Sequence, residues 1–212
     1  ILSDQYSNFS QDNIYSSIMI DDEIWPGIDS YILVYNRKKD SFRSFGFEKG
    51  VPRGKIAHIN YNNGSIFAGS MNGVVEIDRA SKAQLNSPIE KFIFSRNLFV
   101  GDIEKFQGDM FFVLSNNLFK YDNERNDIAA LNWKDGTFDL SLKNNQIEIA
   151  SRSVSRIFSR ENNLYIITDL GIIDYNEGSM IVPSSLYFNY KVTDLVIVCL
   201  LYTSDAADDS LR

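Results

Sequence analysis

The chain holds 212 residues with 21 Lys+Arg against 28 Asp+Glu, a formal net charge of −7, 44% hydrophobic residues, one cysteine and one histidine. This mildly acidic balance, with no basic stripe, argues against nucleic-acid and anionic-membrane partners, which need clustered Lys and Arg to displace counterions or meet lipid phosphates. A single His and a single Cys cannot build an imidazole or thiolate metal site or a disulfide framework, so no metal and no cofactor is expected.

The opening "ILSDQYSNFS" has neither an initiator methionine nor a charged segment before an apolar run, which leaves room for a leader lost upstream. From there the chain is repetitive. Four stretches align without gaps: EIWPGIDSYILVYN from Glu23, SIFAGSMNGVVEID from Ser65, DMFFVLSNNLFKYD from Asp109 and NLYIITDLGIIDYN from Asn163. Their second position is Ile24, Ile66, Met110 or Leu164, their third is aromatic (Trp25, Phe67, Phe111, Tyr165), and their last is Asp or Asn. Ten residues before the second position stand Ile14, Ile56, Val100 and Val154. The repeat cores thus span 14–36, 56–78, 100–122 and 154–176, at intervals of 42, 44 and 54 residues. A period in the low forties with several short strands per unit is that of a propeller blade.

The second unit shows the expected blade in full. Strand A covers 55–61, a turn follows at 62–64, strand B covers 65–70, a tight connection runs through Asn72 and Gly73, and strand C covers 74–78. A polar loop then leads to strand D over 89–95. Asn-Gly pairs suit the positive φ of a type I′ hairpin turn. The recurrent Asp or Asn after strand C is expected to make an Asx turn. The aromatic series fits core packing between blades better than a sugar-stacking ladder.

In the third interval, residues 130–151 carry two further turn motifs, Asp135-Gly136 and Asn144-Asn145, and predict an enlarged outer hairpin bearing Trp133 that decorates the blade. Val192 and Leu195 repeat the opening spacing, so a fifth blade starts near 192. Codons for Cys199 to Asp208 spell one continuous transposon-end sequencing adapter, and 199–212 is therefore read as a non-native tail on a partial propeller covering 1–198. Without that tail 20 basic and 25 acidic residues remain and no cysteine. The fold class is all-β: about four four-stranded blades in an open arc. Such an arc has two open faces, expected to expose Trp25 and Ile24 at the start and Leu164, Ile166 and Ile172 at the end.

Catalytic patterns are sparse. His58 lies beside Ile56 and Ile59 in a strand A; a Ser-His-Asp triad would have to use it, and no Gly-x-Ser-x-Gly elbow accompanies it. Asp21, Asp22 and Glu23 occupy turn positions that suit solvated carboxylates. The chain is read as non-enzymatic. Loops on a rigid scaffold carry function, and propellers seat ligands at one end. The B–C turns and D–A loops share an end, which makes Arg53, Asn72, Asn116 and Asp169 the ligand-binding candidates.

Taken together, these motifs resemble the two-component regulator propeller repeat, with ENNLYIITDLGIIDYN from Glu161 as the best copy and the likeness running over 14–198. That family's strand-B Trp survives only as Trp25, and its Gly-Thr only as Gly69-Ser70 or Thr168. The resemblance implies a non-catalytic ligand-recognition propeller of an extracytoplasmic sensor in two-component signalling, located in the periplasm or outside the cell. It also implies a glycan or other small extracellular ligand, and further blades and signalling domains on the same full-length chain, with no membrane contact by this segment. Two other readings stay open: a structural or protein-interaction propeller, and part of a propeller glycoside hydrolase or lyase.

Overall fold

Alternating apolar and polar residues make strands that bury one face, and two-residue turns fold neighbouring strands into meanders. A computed structural model describes residues 13–122, 127–134, 137–140, 153–160, 162–169, 171–176 and 179–183. Each repeat forms one antiparallel sheet. The first is β1 (Ser16–Ile20), β2 (Glu23–Gly27), β3 (Ile32–Asn36) and β4 (Ser41–Phe45), in that spatial order. The second is β5 (His58–Asn62), β6 (Ser65–Ser70), β7 (Gly73–Asp78) and the two-residue β8 (Gln84–Leu85), followed by helix α1 (Pro88–Arg96). The third has five strands: β9 (Val100–Phe106), β10 (Asp109–Leu114), β11 (Asn117–Asp122), β12 (Asp127–Lys134) and β13 (Thr137–Leu140). The fourth is β14 (Val154–Arg160), β15 (Asn163–Thr168), β16 (Gly171–Asp174) and β17 (Ser179–Pro183).

The third sheet carries an outer hairpin, in which β12 pairs with β13 and Lys134 faces Thr137; the Asp135-Gly136 motif between them lies outside the described residues. The Asn144-Asn145 motif, the fifth blade near 192 and the 199–212 tail lie outside the described residues. Type I′ geometry holds where β5 turns into β6 through Asn63 (φ 46°) and Gly64 (φ 89°). At the next hairpin the pairing Ser70↔Gly73 makes Met71 and Asn72 the turn residues, so Gly73 (φ 149°) opens β7 instead of sitting in the turn. The Asx expectation holds at Asn36, whose side chain accepts the Lys39 N–H, and at Asp78, which accepts the Ser81 N–H.

Residues 89–95, expected as strand D of the second blade, lie in α1, and the fourth strand is instead β8, which pairs Leu85 with Glu76 and Gln84 with Ile77. Ser87 caps α1 by accepting the Ile89 N–H, Pro88 occupies its first turn, Glu90 sits near its start and Arg96 in its last turn, and Asn97 ends it in the left-handed region (φ 52°). These are helix start and stop features, and they outweigh the β propensity of Ile89, Phe92, Ile93 and Phe94.

Three apolar clusters fill the spaces between successive sheets. Trp25, Ile32, Val34 and Phe45 of the first sheet meet Ile66, Ala68 and Val75 of the second. Phe67 and Val74, with Ile89 and Ile93 of α1, meet Met110, Phe112 and Leu114 of the third. Phe111, Val113 and Leu118 meet Leu164, Ile166 and Ile173 of the fourth. None of these clusters joins the fourth sheet to the first, so the sheets form an open arc. Gly69 marks how closely blades approach, because a Cβ there would lie 2.7 Å from Ile103 Cδ1 of the next sheet.

The arc corrects which residues its ends expose. Trp25 is fully buried because β2 turns its ring toward the second sheet, and Leu164, Ile166 and Ile172 are buried as well. The exposed apolar face is that of the first sheet, where Met19 is 63% and Phe42 40% exposed, beside half-buried Ile24.

Candidate functional site

In every sheet the B–C connection and the segment leading into strand A lie at one end of the arc, and hydrogen bonds tie them together. The Asn72 side-chain amide donates to the Arg53 carbonyl at 2.8 Å and the Ser70 hydroxyl donates to the same oxygen at 2.9 Å. In the third sheet Ser115 N–H donates to the Phe99 carbonyl, and in the fourth Asp169 N–H donates to the Ser153 carbonyl. The loops are therefore held by the scaffold in a fixed arrangement.

A cleft of about 730 Å³ opens here between the Phe47–Arg53 segment, the Asn72–Val74 turn and the last turns of α1. Val51, Val74, Ile93 and Leu98 line it, with Arg53 and Lys91 as cations. The Arg53 guanidinium lies over the Phe47 ring at 4.6 Å, which orients its charge on an aromatic wall. Phe94, 89% exposed, lines it too, and Met71, 73% exposed, adjoins it. Of the eight exposed large hydrophobic residues among those described, Ile14, Tyr31, Phe47, Met71 and Phe99 lie in the connections at this end, with Phe94 on the last turns of α1 beside them. Concentrated apolar exposure of that kind marks a recognition surface, and a mostly apolar cleft of this volume with a few convergent polar groups fits a small-molecule site. Glu90 lines the cleft but faces inward: burial raises its carboxyl above the usual range, although the Glu76 N–H and the Gln84 amide bond it.

Of the four residues singled out from sequence, Arg53 and Asn72 come together in this cleft. Asn116 and Asp169 occupy the corresponding turns of the third and fourth sheets and do not line it; the Asn116 carbonyl accepts the Val154 N–H. Phe47 and Phe94 also line the cleft and are not among the residues that loop topology singles out, the second because 89–95 reads as a strand in the sequence and is a helix in the structure.

A second constellation runs along the inner strands. Ser16, His58, Asp102 and Arg156 occupy equivalent repeat positions, two residues after Ile14, Ile56, Val100 and Val154. Asp102, 4% exposed, gathers both neighbouring sheets: His58 Nδ1 is 3.0 Å and Arg156 Nε 3.6 Å from its carboxylate, and the Ile157 N–H donates to it at 3.0 Å. Glu104 repeats the pattern, accepting from Asn60 of the second sheet and from both the Ser159 N–H and hydroxyl of the fourth. Both acids serve as acceptors between blades. A triad would need a hydroxyl on the free nitrogen of His58, and among the described residues no serine or threonine bonds it.

Burial, with Asp102 adding to it, raises the Glu104 carboxyl above its ordinary value despite the Ser159 and Asn60 hydrogen bonds. The stability this group contributes is thus fully present below its unfolded value and is lost as pH rises through the higher folded one. Glu104→Gln keeps an acceptor for Ser159 and carries no charge, so it is expected to gain stability relative to the parent chain as pH rises above the ordinary glutamate value. Denaturant midpoints across that rise check this, and a difference independent of pH would contradict it.

Three solved structures share the architecture. The extracellular domain of a putative one component system from B. thetaiotaomicron aligns with TM-score 0.57 at 16% identity, over 87% of this chain and 24% of that one. The extracellular domain of a putative hybrid two component system from the same organism gives 0.54 at 13%, over 80% and 21%. The WD40 domain of Neurospora crassa Pan2 gives 0.52 at 8%, over 84% and 52%. The fold is a propeller arc. No family profile and no curated protein matches the chain. The arc spans about a fifth to a quarter of the length of the two bacterial domains. Among the described residues no three His, Cys, Asp or Glu side chains converge as a metal site, and no helix is long and apolar enough to cross a membrane.

Proposed function

We propose that this arc is the ligand-recognition part of a non-catalytic sensor propeller in two-component signalling, placed in the periplasm or outside the cell. Its ligand is a glycan or another small extracellular molecule seated in the loop-end cleft, and further blades and signalling domains belong to the full-length chain. The observation that carries this reading is the cleft itself, with Phe47 and Phe94 exposed on its walls and Arg53 and Asn72 fixed beside them. Rings present flat apolar faces to a sugar or other ring, while the guanidinium and amide supply directional hydrogen bonds. The architecture shared with the extracellular domains of a putative one component and a putative hybrid two component system supports the setting.

The test is titration calorimetry of the full-length protein against a panel of neutral and acidic oligosaccharides. Arg53→Ala and Asn72→Ala are each expected to weaken the best ligand at least tenfold, the loss typical of a buried polar contact worth about 1.4 kcal/mol or more. Asn116→Ala and Asp169→Ala, over the third and fourth sheets, are expected to have smaller effects. Unchanged affinity in all four variants would overturn the assignment of this face.

A further inference from the structure

We infer a second ligand site at the opposite end of the arc, a cleft between the first two sheets that takes an anionic tetrahedral oxyanion group, a sulfate or phosphate monoester, on a small molecule. The cleft measures about 500 Å³. Lys39, Arg43, Arg79 and Lys82 line it against Glu23 and Asp78, and with Asp21 at its edge, 2.8 Å from Arg79, one positive charge remains in excess within a chain whose net charge is −7. Such a local inversion of sign attracts anions that the rest of the surface repels.

Both lining acids are already engaged. Glu23 accepts Lys82 Nζ at 2.7 and 2.8 Å and Arg79 Nε at 3.3 Å, and although burial acts to raise its carboxyl, these cations hold it lowered and ionised. Asp78 accepts the Ser81 N–H and hydroxyl, which lower its carboxyl and turn it into its own loop. Lys39 and Arg43, both exposed, form no ion pair among the described residues, so their charge is available at the mouth. The inner cations are fixed in place. Lys82 takes a left-handed backbone (φ 61°) that puts its ammonium 4.6 Å over the Trp25 ring. Arg79 lies 5.8 Å over the Tyr61 ring and donates to the Ile20 carbonyl and to Asp21, whose charge stands outside the lining. Two cations held at the base and two exposed ones at the mouth suit charge-assisted hydrogen bonds to several oxygens of one group.

Equilibrium dialysis of the full chain against labelled sulfate, at fixed ionic strength in chloride, tests this without reference to the loop-end cleft. Saturable binding near one sulfate per chain is expected, weakened at least tenfold in a Lys39→Ala, Arg43→Ala double variant and kept in a Lys39→Arg, Arg43→Lys double variant. Asn72→Ala should bind as the parent does. Displacement by glucose 6-sulfate and by glucose 6-phosphate identifies the source of the oxyanion by whichever competes at lower concentration, and acetate should displace neither. Parent-like binding by the double alanine variant, loss in Asn72→Ala, or equal displacement by acetate would each overturn the site.

Discussion

Asp102→Ala is expected to destabilise the chain by about 1–3 kcal/mol, the cost of leaving buried polar partners without their acceptor. The carboxylate is buried in the third sheet yet bonds groups on both neighbours, so its loss removes the acceptor of the Ile157 N–H and the contacts to His58 Nδ1 and Arg156 Nε. Each orphaned buried polar group costs on the order of 1–3 kcal/mol. Asp102→Asn keeps one acceptor oxygen and should fall between the two. His58→Ala removes a single donor and should cost no more than about 1.5 kcal/mol. Denaturant unfolding at one protein concentration reads all three. A loss below 1 kcal/mol for Asp102→Ala would mean that the apolar clusters alone set the inter-blade spacing.

What the repeat pattern makes legible is whatever depends on period. Apolar residues at the second, tenth and eleventh positions mark strands B and C, and the spacing of Ile56 from Ile66 marks strand A, so four sheets can be counted before any is seen. Pattern does not say which side of a sheet a residue faces, because alternation is the same whichever neighbour lies next. Trp25 looked like an end residue for that reason, yet it points inward at Ile66 and Ala68. Nor does apolar content separate a short strand from a helix. In 87–97 the decisive letters were Ser87, Pro88, Glu90 and Asn97, and they were legible as capping chemistry. The candidate site was half legible: loop topology placed Arg53 and Asn72 at the end where the cleft opens, whereas Phe47 and Phe94 stand beside them only because a 3₁₀ turn at Phe47–Lys49 and the last turns of α1 bring them there. The inter-blade role of Asp102 was invisible in one sequence, since nothing local distinguishes an acid that meets a neighbouring strand from one that meets water.

The chain of 212 residues is expected to associate in solution, through the outer face of its first sheet. That face carries Met19 and Phe42, both exposed, beside Ile24, Leu33 and Tyr35, which are only half-buried. In an arc each sheet is covered by the next, and the inner face of the first is already filled by Trp25, Ile32 and Val34 against the second. The outer face has no such cover among the described residues. A few hundred Å² of apolar surface, at about 25 cal/mol per Å², is worth on the order of 5–10 kcal/mol if a second copy covers it. That compares with the whole net stability of an ordinary domain. Two copies meeting through the same face would form a two-fold pair, the commonest closed assembly. Sedimentation should therefore show a species heavier than the monomer, and Met19→Lys with Phe42→Lys should return it toward one copy by placing charges in the contact. These positions sit on β1 and β4, away from the Trp25 cluster, so the double variant should keep its sheets. A compact monomer with a cooperative thermal transition in the parent chain would sink the prediction, because it would require the first sheet to be covered from within the same chain.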